Sequence, residues 1–169
     1  AWARGERPIR CRVPPGQPLA AVKRHFDGDG PWQLDHLLVE PIPFLAQADY
    51  DRLLWSCDLN FVRGEDSFVR AQWAGRPFVW QAYPQQEEAH FVKLDAFLQR
   101  YLAALPEMTP QTVHDFFHAW NRGKQGEVAQ HWPAFYALLP DLVVHGRLWA
   151  EGLNGELAKN LVNFCSGKL

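Results

Sequence analysis

Short apolar segments alternate with segments of helical spacing along the first half of this chain, and this alternation constrains the fold more than any other feature. The segments typical of strands are "PIRCRV", "QLDHLLVEPIPFL", "DLNFV" and "FVWQAY". The segments typical of helices are "LAAVKRHF", "AQADYDRLLWSC" and "FVRAQWA". Because such alternating elements connect through right-handed crossovers, the pattern predicts a parallel sheet with helices on its faces. We expect about four strands in a small doubly wound α/β domain.

The second half of the chain has helical spacing instead. From Glu87 onward, one helical face carries the apolar residues Phe91, Leu94, Phe97, Leu98, Tyr101, Leu102 and Leu105. Thr109 and Pro110 are typical of the N-cap and first turn of a further helix, which Gly123 can close. About two or three more helices are expected after it. The last of them contains Leu153, Leu157 and Leu161.

Length and composition fit one domain. With 169 residues, 47% of them hydrophobic, the chain can bury a core of its own, and we expect a single domain over residues 1–169. The 17 Lys and Arg residues nearly balance the 19 Asp and Glu residues, which argues against a basic surface for nucleic acid or for a membrane. Any anionic ligand must therefore be met locally.

Cysteine usage and hydropathy indicate a soluble, cytoplasmic protein. Cys11, Cys57 and Cys165 form no CxxC or Cys/His ligand spacing and are typical of reduced thiols. No apolar run approaches the roughly 18 residues of a membrane span, and no signal-like segment opens the chain. Because the chain begins at Ala1 and its only methionine is Met108, we expect a processed form or a fragment.

The run "RGEDS", residues 63–67, lies where the third expected strand gives way to a helix. In a parallel α/β sheet, ligands collect at this end of the strands, where helix N-termini present unpaired N–H groups and a positive dipole end. Gly64 lets the backbone come close to a ligand, Ser67 offers a hydroxyl and an amide, and Arg63 can bind a phosphate through two donors. These residue types suit a diphosphate.

Glu65 and Asp66 need a separate explanation, since carboxylates repel phosphate. They are suited to accept hydrogen bonds from sugar hydroxyls or to pair with Arg63. The alternative interpretation is that Asp66 or Ser67 simply caps the helix while Arg63 lies in solvent. The run matches neither a Walker A nor a GxGxxG pattern, so spacing alone leaves both interpretations open.

Two further groups could reach the same edge of the sheet. Tyr83 follows the next strand, where an ordinary strand-end aromatic residue is an equal alternative. The segment "PIPFLAQADYDRLLW" leaves another strand, and there the Gln47 amide with the ring of Phe44 or Tyr50 could bind a planar base. Packing or capping would explain each of these residues individually.

Two patterns imitate metal sites. Asp27 and Asp29 in "DGDG" fail the EF-hand pattern at its glycine and at its final glutamate, so we interpret the run as a plain turn. His114 and His118 stand at i and i+4 on one expected helix and could bind zinc. Because Asp115 replaces the glutamate of the zincin pattern and no third ligand is evident, we interpret the two histidines as a satisfied helix-edge pair.

The stretch "DYDRLLWSCDLNFVRGEDSFVRAQWAGRPFVWQAYPQ" resembles the elongation factor P arginine rhamnosyltransferases, a bacterial family of inverting glycosyltransferases. The similarity is dense over residues 44–85, and the Arg-Gly-Glu-Asp-Ser-Phe run within it is highly specific. The flanking order of strands and the helical tail fit more loosely. The resemblance implies a GT-B-type enzyme with two Rossmann-like domains, of which this chain is the C-terminal, donor-binding one.

The resemblance also implies roles for these residues. The donor is TDP-β-L-rhamnose, whose diphosphate and sugar are surrounded by Arg63, Glu65, Asp66, Ser67 and Tyr83. The loop that holds the thymine carries Phe44, Gln47 and Tyr50. Glu65 is the residue of this chain expected to be essential for catalysis. No metal or other cofactor is expected, because helix amides and Arg63 can stabilise the charge on the leaving diphosphate.

The remaining parts of such an enzyme are expected elsewhere. The family's proposed catalytic aspartates, and most of the surface that docks elongation factor P, belong to an N-terminal domain absent from this chain. The chain alone is therefore expected to be inactive, with no nucleic-acid or membrane partner. Two alternatives stay open: the nucleotide-sugar-binding domain of another GT-B-type glycosyltransferase, and a non-catalytic interaction module in which "RGEDS" merely caps a helix.

Overall fold

A computed structural model describes residues 2–5, 7–106 and 109–153 of the chain. The strands are β1 (Ile9–Val13), β2 (Trp32–Leu34), β3 (Leu37–Pro41), β4 (Asn60–Arg63) and β5 (Phe78–Gln81). The helices are α1 (Gln17–His25), α2 (Gln47–Ser56), α3 (Gly64–Trp73), α4 (Ala89–Tyr101), α5 (Thr109–Arg122), α6 (Gln125–Ala137) and α7 (Leu139–Leu153). Short 3-10 helices lie at Trp2–Arg4 and Gln86–Glu88. This order confirms α/β alternation followed by consecutive helices.

The chain divides into two compact units, residues 1–50 and 51–169. The first unit contains a three-stranded sheet of order β1-β3-β2, and the second contains a two-stranded sheet of β4 and β5. Parallel pairing of β1 with β3 and of β4 with β5 confirms the predicted α/β class with parallel strands. The expectation of one continuous sheet of about four strands is wrong, because the described strands belong to two sheets.

In the first unit, the segment expected to be one buried strand folds as two. β2 pairs antiparallel with β3, beginning with Trp32 opposite Val39. Asp35 has a φ of 49° in the turn between the strands, and its carbonyl oxygen accepts a hydrogen bond from Gln33 Nε2 at 2.5 Å. The turn escaped the sequence reasoning because it contains neither glycine nor proline, the strongest local turn signals.

The core of the first unit confirms the helical spacing read for α1. The buried residues of this core are Ala3, Val13, Trp32, Leu37 and Val39. Leu19 and Val22 of α1 pack against them as partly buried side chains, and the ring of Phe26 stacks on that of Trp32 at 5.7 Å between centroids. The apolar side of α1 therefore faces the core of this unit.

An aromatic cluster organises the second unit, where Arg63 of β4 pairs with Gln81 of β5. Phe68 of α3 stacks on Trp80 of β5 with ring centroids 4.0 Å apart. The ring of Phe97 from α4 packs edge-on against Phe68 at 4.8 Å. These contacts attach α3 to the β5 strand and to the helical half of the same unit.

The ends of α5 agree with the capping signals in the sequence to within one residue. Thr109, predicted as the N-cap, is the first residue of α5, and Gly123, with a φ of 67°, follows its last residue. Of the expected last helix, α7 is described as far as Leu153, so Leu157 and Leu161 lie outside the described residues. Among the helices of the described ranges, none has the combination of length and apolar character needed to cross a membrane.

Candidate anion-binding site

The junction between β4 and α3 carries most of the predicted site residues. Arg63 is the last residue of β4 and the N-cap of α3, and Gly64 is the first helical residue. The expected loop is therefore absent: Glu65, Asp66 and Ser67 lie inside the helix, at its N-terminal end. The chain turns from strand to helix within one residue because Gly64 adopts a φ of 73°, which glycine takes without steric cost.

Arg63 is an unusual residue at the start of a helix. The residues favoured at an N-cap accept a hydrogen bond from an amide of the first turn, whereas a guanidinium group can only donate. Consistent with this, no side-chain cap hydrogen bond is present at Arg63. The alternative in which Asp66 or Ser67 caps the helix is wrong, since both lie within it. Arg63 and the helix dipole thus place positive charge at this helix end, which Glu65 and Asp66 of the first turn partly offset.

The ring of Tyr83 lies directly against Gly64. A Cβ atom on Gly64 would be 2.8 Å from Tyr83 Cε2 and 2.9 Å from its hydroxyl oxygen. On the β5 side, Trp80 Nε1 donates a hydrogen bond of 3.1 Å to the Gly64 carbonyl oxygen. Two features therefore favour glycine at position 64: its backbone conformation, with positive φ, and the close approach of the Tyr83 ring.

Arg63 lies beside the same tyrosine ring. Its Cζ atom is 4.9 Å from the centroid of Tyr83, within the range of a cation–π interaction. Tyr83 is 49% exposed, and Arg63 is exposed as well, so solvent reaches both groups. The structure thus brings together three residues that the sequence pattern had proposed separately: Arg63, Gly64 and Tyr83.

Asn121 of α5 holds the segment that leads to Tyr83, and the sequence reasoning missed it. Its Oδ1 atom accepts a hydrogen bond from the Ala82 amide at 3.0 Å, and its Nδ2 atom donates to the Trp80 carbonyl oxygen at 2.8 Å. The side-chain amide therefore acts as a strand partner for the end of β5. No local signal could have revealed this, because the contact joins residues 39 positions apart.

Arg70 lies between the carboxylates of Asp66 and Asp51 and orients Asp66. The sequence reasoning did not identify this arginine. Arg70 Nε donates to Asp66 Oδ2 at 3.1 Å, while Arg70 Nη1 donates to both carboxylate oxygens of Asp51 at 2.8 and 2.9 Å. Hydrogen bonding to Asp51 raises the pKa of Arg70, with Asp66 adding to the effect. The i, i+4 spacing of Asp66 and Arg70 was a usable signal, but the position of Asp51 was not.

Glu65 and Ser67 occupy the same helical end with different exposure. Glu65 is exposed, whereas Ser67 is half-buried. Together with Asp66, Glu65 places acidic charge in the first turn of α3, where the dipole stabilises it. Glu65 therefore stands next in sequence to the Arg63–Gly64 junction without being buried in it.

The residues expected to bind a base, Phe44, Gln47 and Tyr50, belong to the first unit. Phe44 is 88% exposed and lies in the segment between β3 and α2. Gln47 is the first residue of α2. Tyr50 is the fourth residue of the same helix, and its side chain is half-buried. An exposed aromatic ring suits stacking on a planar ligand, and the proposed base-binding role of these residues stays a prediction.

The two metal-like patterns differ in the structure. Lys23 Nζ donates to Asp29 Oδ1 at 2.6 Å and lowers the pKa of Asp29, so the "DGDG" turn is closed by a lysine. The histidine pair of α5 does have a third potential ligand: Asp95 of α4 lies beside His114 and His118. This carboxylate is 19 residues before the first histidine and could not be assigned to the pair from spacing.

A parallel strand pair whose carboxyl edge carries an arginine and a glycine-initiated helix N-terminus defines an α/β arrangement in which ligands commonly bind at the strand ends. The family model described as "Elongation-Factor P (EF-P) rhamnosyltransferase EarP" matches residues 1–166. The chain therefore belongs to the EarP family.

Individual relatives agree with this assignment. The chain is 51% identical over 132 residues to a protein-arginine rhamnosyltransferase of Pseudomonas aeruginosa, covering 77% of this chain and 35% of the relative. It is 40% identical over 177 residues to that of Pseudomonas putida, covering 100% of this chain and 46% of the relative. The chain thus spans about half the length, or less, of these curated relatives.

A solved structure supports the fold over nearly the whole chain. The structure described as "Structural basis for EarP-mediated arginine glycosylation of translation elongation factor EF-P" matches with a TM-score of 0.81 and 37% identity. The match covers 99% of this chain and 55% of that chain.

Proposed function

We propose that this chain is the C-terminal, donor-binding part of a GT-B-type, inverting protein-arginine rhamnosyltransferase that transfers rhamnose from TDP-β-L-rhamnose to elongation factor P in the cytoplasm. Family membership and the names of its relatives support the reaction class. The share of those relatives that the chain covers fits one part of a larger enzyme.

The observation that carries the proposal is the arginine at the N-cap of α3. This helix end has a cation where a hydrogen-bond acceptor is usual, and its first amides have no intrahelical acceptor. A diphosphate supplies what is missing, because it accepts from the amides and pairs with Arg63. We therefore assign the donor diphosphate to Arg63, Gly64 and Ser67.

The acidic residues and Tyr83 act on the sugar side in this proposal. Asp66, oriented by Arg70, and the exposed Glu65 offer carboxylate oxygens that accept hydrogen bonds from sugar hydroxyls. Tyr83 holds the Arg63 guanidinium against its ring and is itself about half exposed. We assign the thymine to the segment with Phe44, Gln47 and Tyr50.

The chemistry proposed is a single displacement. A base outside this chain first takes one proton from the guanidinium of the acceptor arginine. The neutral guanidine nitrogen then attacks the anomeric carbon while the bond from that carbon to the diphosphate oxygen breaks; TDP departs with the electron pair, and the glycosylated guanidinium carries the positive charge. One displacement inverts the anomeric configuration. Arg63 and the α3 amides stabilise the negative charge that develops on the diphosphate, which removes the need for a metal ion in this step. Glu65 is the proposed catalytic residue of this part, and the acceptor is oriented by residues outside this chain.

Calorimetric titration of the chain with TDP and with TDP-rhamnose tests the proposal. We expect saturable binding, and we expect Arg63→Ala to weaken it by roughly 1.5 to 3 kcal/mol, the scale of a charge-assisted hydrogen bond. Arg100→Ala is the matched control, since Arg100 is an exposed arginine on α4, and it should bind as the unchanged chain does. A folded chain that takes up no TDP at millimolar concentration would contradict the proposal.

Two further measurements separate the alternatives. Binding of UDP-sugars or GDP-sugars in preference to TDP-rhamnose would indicate another GT-B-type glycosyltransferase. Equal ligand binding by the unchanged chain, Arg63→Ala and Glu65→Ala would instead indicate an interaction module. We expect the chain alone to bind donor and to leave elongation factor P unmodified.

A further inference from the structure

A cluster of two histidines and one aspartate joins α4 to α5 in the second unit. Asp95 lies on α4, and His114 and His118 lie on α5. One ligand atom from each residue lies within 4.8 Å of those of the other two. The third donor that the sequence pattern lacked is therefore supplied by the neighbouring helix.

The two imidazole rings share one carboxylate oxygen. His118 Nε2 lies 2.6 Å from Asp95 Oδ1, and His114 Nε2 lies 3.3 Å from the same atom. The rings stack on each other with centroids 4.2 Å apart and planes inclined by 21°. Phe91 also stacks on His118, with ring centroids 5.1 Å apart, so His118 contacts two other rings.

These separations are close to those of metal ligands. Ligand atoms at 2.0–2.1 Å from a tetrahedral Zn²⁺ ion are about 3.3 Å apart, which is the His114–Asp95 distance. The shorter His118–Asp95 contact is a hydrogen bond, so metal binding must open it by several tenths of an ångström. Asp95 has 51% of its side chain exposed, so the carboxylate can make this adjustment. Metal binding must also rotate the two stacked rings until both Nε2 lone pairs point at the ion.

The second nitrogen of His114 supplies an independent observation. Nδ1 of His114 is a buried atom for which the described part of the chain provides no hydrogen-bond partner. Asp115 Oδ1 lies 3.7 Å from it and accepts a hydrogen bond from Gln111 Nε2 at 2.7 Å. A metal bound at Nε2 places the ring proton on Nδ1, facing a carboxylate, as is usual behind metal-bound histidines.

We propose that Asp95, His114 and His118 bind a divalent transition-metal ion of the Zn²⁺ type. Two imidazole nitrogens and one carboxylate oxygen suit Zn²⁺ in preference to Mg²⁺ or Ca²⁺, which take mainly oxygen ligands. The exposed side of Asp95 leaves the fourth position to water. Because the ligands come from α4 and α5, the bound ion links these helices and stabilises the helical half of the unit.

The test is a titration of the whole chain with Zn²⁺ alone, followed by competition against a fluorescent zinc chelator. We expect one equivalent to bind and to raise the melting temperature. Asp95→Asn and His114→Gln should each weaken binding at least about tenfold and abolish the zinc-dependent rise. His36→Gln is the matched control, because His36 is an exposed histidine of the first unit, and it should bind normally.

Substitution with Co²⁺ identifies the ligands independently of the variants' stability. A four-coordinate site with nitrogen and oxygen ligands gives visible ligand-field bands without the thiolate charge-transfer bands that Cys11 or Cys57 would add. Zinc binding that is unchanged in both Asp95→Asn and His114→Gln overturns the proposal, as does the absence of binding by the folded chain at micromolar Zn²⁺. In either case the cluster is only a hydrogen-bonded trio that joins two helices.

Discussion

Helices α1 and α3 each follow a parallel strand and begin beside a glycine with positive φ, yet the groups around these two glycines differ. Gly16, with φ 93°, precedes α1, and Gly64, with φ 73°, opens α3. A Cβ atom on Gly16 would meet nothing within 4 Å, whereas one on Gly64 would collide with Tyr83. A glycine with positive φ therefore indicates a tight turn and does not by itself indicate a ligand site.

The charges at the two junctions also differ. The first turn of α1 contains no acidic residue, and none of the residues of α1 is buried. α3 begins with an arginine N-cap, has Glu65 and Asp66 in its first turn, and buries Gly64. What separates the candidate site from a plain turn here is the set of groups near the glycine: the Arg63 guanidinium, the Tyr83 ring, and the Asp66 carboxylate paired with Arg70. Substitutions at these groups, and at residues of the helices packed on them, should therefore affect the α3 junction and leave the α1 junction unchanged.

The largest effect is expected from Gly64→Ala. Forcing a side chain into the left-handed region costs about 1 to 2 kcal/mol, and pushing the half-exposed Tyr83 ring out of its rotamer adds about 0.5 to 1.5 kcal/mol. We expect a total loss of about 1.5 to 3.5 kcal/mol in urea unfolding, together with loss of TDP binding. Gly16→Ala, in open space, should show only the first contribution of about 1 to 2 kcal/mol.

Combining Gly64→Ala with Tyr83→Ala checks the division of this cost. The double variant relieves the collision and keeps the backbone strain, so part of the stability should return. Equal losses for Gly64→Ala and Gly16→Ala would remove the structural distinction between the two junctions.

The next effect is expected from Asn121→Ala. This change leaves the buried Ala82 amide without its acceptor, at a cost of about 1 to 3 kcal/mol, and frees the segment that carries Tyr83. Asn121→Asp keeps the acceptor and loses the donor to Trp80, so it should be intermediate. Gln130→Ala, at an exposed position of α6, is the control for helix substitution and should be neutral. If the Asn121→Ala variant is as stable as this control, the end of β5 does not need the hydrogen bonds from Asn121.

Lowering the pH should reduce the free energy of unfolding by a smaller amount, because His145 becomes protonated. This residue belongs to α7, a helix that packs on α3. Burial lowers the pKa of His145, although its hydrogen bond of 2.6 Å with the Tyr101 carbonyl oxygen opposes the shift. The unfolded chain therefore takes up the proton first. Stability is complete above the ordinary value of about 6.5 and declines as the pH falls from there toward the lower folded pKa.

Urea unfolding at pH 7.5 and pH 5.5 measures this loss. His145→Gln should flatten the dependence, and His25→Gln, at an exposed position of α1, should leave it unchanged. A decline that is identical in His145→Gln would assign the acid sensitivity to other groups.

The smallest effect concerns the carboxylates around Arg70. Asp51 accepts two short hydrogen bonds from this guanidinium, whereas Asp66 accepts one and is 82% exposed. Asp51→Asn should therefore lower the urea midpoint more than Asp66→Asn does. Asp29→Asn, which removes an exposed partner of Lys23, should be close to neutral. The reverse order would mean that Asp51 does not hold Arg70 in place.

Helices and strands could be predicted from the sequence where residues close together in the chain determine them. The spacing of Leu19 and Val22 correctly indicated α1, and Gly123 correctly marked the end of α5. The same reasoning failed at Asp35, where a hairpin turn without glycine interrupts an apolar run. It also interpreted "RGEDS" as a loop, since charged residues and glycine are common in loops and equally acceptable in the first turn of a helix.

The sequence by itself determined which residue types stand at the end of β4: an arginine, a glycine, two acids and a serine within five positions. Local spacing carries that information, because strand, turn and helix signals act over a few residues. Only the tertiary structure decided that Tyr83 covers Gly64 and that Asn121 holds the strand before it. Such contacts depend on how distant segments pack, and a side chain carries no mark of its partner 19 to 39 residues away.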